Sequence, residues 1–157
     1  MAGWPMLVFE GKTAKFYLRG VRNVHGPIRG RFRVMWPDFR AKYLETIRGS
    51  KDNKEAELWS AKAVASLLSE WNVTYPNDHP NEDLRGKPVP ITPDVLLKEC
   101  YPPTYNRLMN VVLGMSEGDI DPDDSIEDQL KTVDNQNKSA EELQQMLAKI
   151  DAEKVGN

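Results

Sequence analysis

The chain has 157 residues, of which 39% are hydrophobic and 29% charged, and its formal net charge is −3. That length holds one domain with a tail, and so modest an apolar fraction implies that part of the chain stays outside the core. Its one cysteine, Cys100, excludes an internal disulfide and a cysteine-based metal site, and no apolar run reaches the roughly 18 residues of a membrane span.

Residues Met1 to Phe9 (MAGWPMLVF) lack the basic start and long apolar core of a signal peptide, so a cytoplasmic location is expected. Charge is distributed unevenly along the chain. From Lys12 to Lys51 there are 11 lysines and arginines against two acids, whereas from Glu117 to Asn157 there are 12 acids against four lysines. Such polarity implies a partner of opposite sign, or two ends that attract each other. The plainer alternative is a solvated basic face and a solubilising acidic tail.

In chain order, Met6 to Glu10 (MLVFE) and Ala14 to Leu18 (AKFYL) read as two strands joined by a Gly11-Lys12 hairpin turn. The stretch Arg29 to Trp36 (RGRFRVMW) sets Arg31, Arg33 and Met35 against Phe32, Val34 and Trp36, a period of two that predicts a strand with one wet and one buried face. Pro37 and Asp38 open a helix with a Phe39, Tyr43, Leu44 and Ile47 stripe, and Gly49 stands where a helix-ending glycine belongs. Asp52 and Glu55 have capping-box spacing, and Leu58, Ala61, Ala65, Leu68 and Trp71 recur at helical intervals. The spacing predicts a core helix that runs to Trp71.

After a polar, proline-studded loop, Thr92 is positioned to cap a short helix beginning at Pro93. Pro103 can begin another, lined by Tyr105, Leu108, Met109, Val112 and Leu113 until Gly114. The sequence from Ser116 is acidic and poor in aromatics, the composition of a segment that does not offset its own ordering entropy. Near the end, Ser139 and Glu142 form another capping box, and Leu143, Met146, Leu147 and Ile150 make a narrow apolar stripe.

No motif points to catalysis or to a cofactor. His25 and His79 fall in separate predicted loops without the roughly four ligands a zinc site needs. Cys100 reads as a small packing residue before an aromatic-proline turn. The run Asp119, Asp121, Asp123, Asp124 and Glu127 has a calcium-loop flavour, but it lacks the glycine of the sharp turn and Pro122 interrupts it. Arginines interleaved with aromatics in RGRFRVMW invite a nucleic-acid reading. Strand alternation, however, sends the two residue types to opposite faces, so they do not build one stacking platform.

The order of elements carries further information. Trp71 and Val73 are followed by Gly86, Pro88, Val89, Pro90, Ile91 and Thr92, the pattern W-x-V, a polar loop, then G-x-P-V-P-I-T. With the preceding RGRFRVMWPDFRAKYLETIRG, this resembles the tail assembly chaperones of long-tailed bacteriophages over roughly Gly11 to Gly114. The resemblance implies a non-catalytic protein in the host cytoplasm that binds the tape-measure protein and recruits tail-tube subunits. In that family a longer, frameshifted form supplies the recruiting end.

The expected fold is therefore a mainly helical α+β domain over 1–116, with an N-terminal β-hairpin or small sheet on three to four packed helices. An acidic flexible linker over 117–138 and an amphipathic helix over 139–154 follow. Partner contacts are expected at Leu143, Met146, Leu147 and Ile150 and at Arg29, Arg31 and Arg33, with no catalytic, metal or cofactor residues and a possible homo-oligomer. The alternative functions are a neck or tail component of the virion, and a nucleic-acid-binding accessory protein that uses the basic N-terminal half.

Overall fold

The computed structural model describes residues 7–137, and the expected helix over 139–154 lies outside them. A three-stranded antiparallel sheet, β1 (Thr13–Leu18), β2 (Ile28–Arg33) and β3 (Leu68–Trp71), packs on four helices. These are α1 (Pro37–Arg48), α2 (Asn53–Leu67), α3 (Pro93–Lys98) and α4 (Pro102–Val112). A 3₁₀ turn spans Glu82–Leu84, and residues 126–137 are helical. The fold is mixed α+β, as the period-two and helical spacings imply.

The core lies between one face of the sheet and α2, α3 and α4. Phe16, Leu18, Ile28, Val64, Leu67, Leu68, Leu96, Leu108 and Val112 are among its buried residues, with Phe32, Trp36, Phe39, Tyr43 and Trp71 packed around them. Alternation accounts for the strands. Phe16 and Leu18 on β1, and Ile28 on β2, turn inward, and Lys15, Tyr17, Arg29 and Arg31 face the other way.

Local signals set most helix starts. Pro37, Pro93 and Pro102 occupy first-turn positions. The Asp52 side chain accepts from the Glu55 amide at 2.8 Å, while the Glu55 carboxylate accepts from the Lys51 amide at 3.1 Å. Thr92 Oγ1 accepts from the Val95 amide at 3.2 Å.

Four expectations are corrected. Residues 7–12 form no strand: the Lys12 amide donates to the Phe9 carbonyl in a turn, and Leu7 and Phe9 are exposed. β1 pairs instead with β2 over six residues, Thr13↔Arg33 through Leu18↔Ile28, which buries Phe16, Leu18 and Ile28 together. The core helix stops at Leu67, where Leu68 takes an extended conformation and the chain enters β3 without a loop. The buried face of α2 is consequently Ala61, Ala63, Val64 and Leu67, leaving Leu58 and Trp59 exposed. Gly49 ends α1 with φ −81°, a right-handed conformation open to any residue.

The fourth correction concerns the acidic segment. The part of it that is described, up to residue 137, lies against the basic sheet through ion pairs and backbone hydrogen bonds. The basic and acidic stretches of the chain thus attract each other, one of the three readings of the charge asymmetry. No helix among the described residues is long and apolar enough to cross a membrane.

Candidate functional site

Between Trp71 and Thr92 the chain doubles back on itself. The Trp71 indole donates from Nε1 to the Val89 carbonyl at 2.8 Å, and the Val89 amide donates to the Val73 carbonyl at 3.0 Å. Further out, the Tyr75 amide donates to Lys87 and the Gly86 amide to Tyr75, each at 2.9 Å. The tryptophan half and the proline-rich half of the connection are thus zipped into one antiparallel pair. Pro88 and Pro90 fit this geometry because their fixed φ keeps the returning strand extended, and the amides they lack are not needed by the pair. The long, proline-studded connection is ordered by its own backbone.

That pair forms one wall of a cleft of about 740 Å³. Trp71, Val73 and Val89 line this wall, and Val24, Ile28 and the aromatic residues Tyr101 and Tyr105 face it. Helices α3 and α4 contribute Val95 and Leu108. Sequence separation hid the grouping: His25, His79 and Cys100 come from three distant loops and all reach this cleft.

The cleft's two histidines are hydrogen-bonded, and its thiol and the Tyr105 phenol are held neutral. His25 Nδ1 donates to the Gly26 carbonyl at 2.7 Å, so in the neutral ring Nε2 accepts from the buried Thr104 hydroxyl at 2.6 Å. This bond ties the β1–β2 connection to the first turn of α4. The His79 ring meets Tyr75 edge-on at 5.1 Å, and its Nδ1 accepts from the Asn81 amide at 3.0 Å. Burial pushes the Cys100 thiol up to about 11, and burial likewise pushes the Tyr105 hydroxyl up to about 12. A thiol so raised stays protonated at neutral pH and is a poor nucleophile. Tyr105 Oη is buried without a hydrogen-bond partner among the described residues. No group of three or more metal-ligating side chains occurs among the described residues.

The arginines expected to meet a partner sit on the outer face of the sheet, and each already has a partner within the fold. Arg29 holds Asp121 with both arms of its fork, Nε at 3.1 Å and Nη2 at 3.0 Å, and Nη2 also reaches Asp123 at 3.0 Å. Its guanidinium lies 4.9 Å from the centre of the Tyr17 ring. Arg33 donates to the Ser66 carbonyl at 2.6 Å and lies over Trp36. Arg31 is exposed, within 3.4 Å of Thr13 Oγ1. Leu143, Met146, Leu147 and Ile150 lie outside the described residues.

The acidic segment itself leads from α4 past the edge of β1 onto this outer face. At the edge, the Asp119 amide donates to the Tyr17 carbonyl at 2.8 Å, and the Asp119 carboxylate accepts from the Arg19 amide at 2.8 Å and pairs with Arg107. Beyond it, Asp124 pairs with Lys15 at 2.5 Å. The hydrogen bond from Arg29 lowers the Asp121 carboxyl below its ordinary value, and the bond to Asp124 raises Lys15. Gly118 lets the segment approach: a Cβ there would lie 2.8 Å from the Tyr17 carbonyl oxygen.

Comparison with protein-family models, with curated proteins and with solved structures finds no match for this chain.

Proposed function

We propose that this protein is a tail assembly chaperone of a long-tailed bacteriophage, a non-catalytic protein that binds the tape-measure protein during assembly and recruits tail-tube subunits. One observation carries the reading. The residues on which the resemblance rests, Trp71 and Val73 on one side and Pro88 and Val89 on the other, are zipped together, and Trp71, Val73 and Val89 line the cleft. A cleft walled by valine, leucine and aromatic side chains, with its thiol and phenol held protonated, suits one apolar stripe of a helical client. A tape-measure protein offers such stripes along its whole length, and an assembly partner must shield them from water.

The test uses two cleft residues whose side chains are exposed, so that the domain stays folded. Val24 and Tyr101 are 50% and 40% exposed. The wild-type chain, co-expressed with the tape-measure protein of the same phage, should keep it soluble and co-purify with it. The variant carrying Val24→Glu and Tyr101→Glu should lose at least tenfold in recovered complex while keeping its melting midpoint. Purified virions should lack the chain. Stoichiometric presence in particles would instead make it a virion component, and equal recovery with the variant would remove the cleft from the reading.

A further inference from the structure

The sheet has order β1-β2-β3, so β1 is an edge strand. Tyr17 offers its carbonyl outward to Asp119, and by strand alternation Thr13 and Lys15 turn their backbone groups to the same open side. Beside this edge stand Lys15, Arg29 and Arg107, each paired to a carboxylate of the acidic segment. The segment thus meets the domain in two ways at once: one main-chain hydrogen bond at the edge, and carboxylates at positions 119, 121, 123 and 124 set against cations on β1, β2 and α4. That combination is how an extended peptide is recognised by strand addition.

We propose that residues 117–124 occupy a docking site for an extended acidic segment of another protein, and that they act as its tethered competitor. Lys15, Arg29 and Arg107 read its carboxylates, and the edge of β1 reads its backbone. This proposal goes beyond the chaperone reading and does not depend on it.

Three features favour this occupant. The cations stay accessible, with side-chain exposures of 57% for Lys15 and 39% for Arg29. Although Asp121 and Asp124 are only 15% and 14% exposed, Asp123 is 80% exposed, so the Arg29–Asp123 pair is the weak one that exchanges first. The bonds to Tyr17 and from Arg19 require a chain carrying both an amide donor and a carboxylate acceptor. A DNA backbone supplies the negative charge but no donor for the Tyr17 carbonyl. Finally, the outward backbone of Thr13 and Lys15 extends the edge beyond the one residue that Asp119 covers, so a longer strand gains pairing that the tethered segment does not make. Tethering gives the internal segment an effective concentration on the order of millimolar, so a free competitor binds well only once the tether is weakened.

The experiment follows a fluorescent peptide with the sequence of residues 117–137 binding to the full-length protein by polarisation. The variant with Asp119→Asn, Asp121→Asn and Asp124→Asn should bind it at least tenfold tighter than the wild type, with affinity falling as salt rises. Adding Lys15→Glu and Arg29→Glu to that variant should abolish binding. Asp123→Asn alone, at a mostly exposed position, should fold normally and give a gain of about threefold, which keeps the test decisive if the triple variant does not fold. Equal peptide affinity in the wild type and Asp123→Asn would overturn the proposal. So would peptide binding that survives the charge reversals, or competition by a single-stranded oligonucleotide as strong as by unlabelled peptide. A wild-type dimer that dissociates on Arg29→Glu would assign the site to the acidic segment of a second copy and overturn the separate-partner form.

Discussion

Gly30 sits at the centre of the sheet, opposite Phe16 on β1 and Trp71 on β3. A Cβ at this position would lie 2.2 Å from the Glu70 carbonyl oxygen and 2.9 Å from the Phe16 ring. The ring can shift, but the carbonyl belongs to the strand itself and cannot turn aside without breaking the ladder. Gly30→Ala should therefore cost about 1–3 kcal/mol, the usual range for overpacking a core. Urea denaturation would measure it against Gly26→Ala, where a Cβ meets nothing within 4 Å and little change is expected. Equal midpoints for the two variants would mean that β2 and β3 are not paired in this register.

At the scale of elements, the short helix α3 depends on its first turn. Thr92 caps it, Pro93 fixes its first φ and Asp94 faces the helix dipole. Thr92→Ala should destabilise the protein by about 0.5–2 kcal/mol, and Thr92→Ser should recover most of that loss in the same thermal melts. Features of this kind were legible because they are local: a cap and its amide lie three residues apart. The starts of α1, α2 and α3 and the apolar face of α4 were therefore readable from spacing alone. What escaped was non-local. Leu67 and Leu68 continue an apolar helical pattern, but Leu68 leaves the helix to pair with Phe32 on β2, beside Arg31↔Glu70 and Gly30↔Trp71. MLVFE has strand composition, but β2 offers β1 the better buried pairing. The cleft was invisible for the same reason, since His25, Val73 and Cys100 carry no mutual signal in the chain.

For the molecule as a whole, the acidic segment makes stability depend on pH with a definite sign. Hydrogen bonding to Arg29 lowers the Asp121 carboxyl from the ordinary 3.8, so its contribution is present above that value and is lost as pH falls through the lowered one. Pairing with Asp124 raises Lys15 from 10.5, so that contribution is present below 10.5 and lost as pH rises through the raised value. The difference in melting midpoint between the wild type and Asp121→Asn should be steady near neutral pH, begin to shrink as pH falls below 3.8, and vanish only below the lowered value. A difference that persists in acid would show that the substitution acts through packing and not through charge.

The ion pairs that join the sheet to the acidic segment connect residues separated by 92 to 109 positions, Arg29 with Asp121 and Lys15 with Asp124. A ribosome adds about 5–20 residues per second, so the cations of β1 and β2 emerge from it on the order of 5–20 s before the carboxylates that will cover them. Throughout that interval the lysine and arginine side chains of β1 and β2 have no acidic segment of their own chain to pair with. An acidic polypeptide in the surroundings can meet those cations before the chain's own carboxylates do.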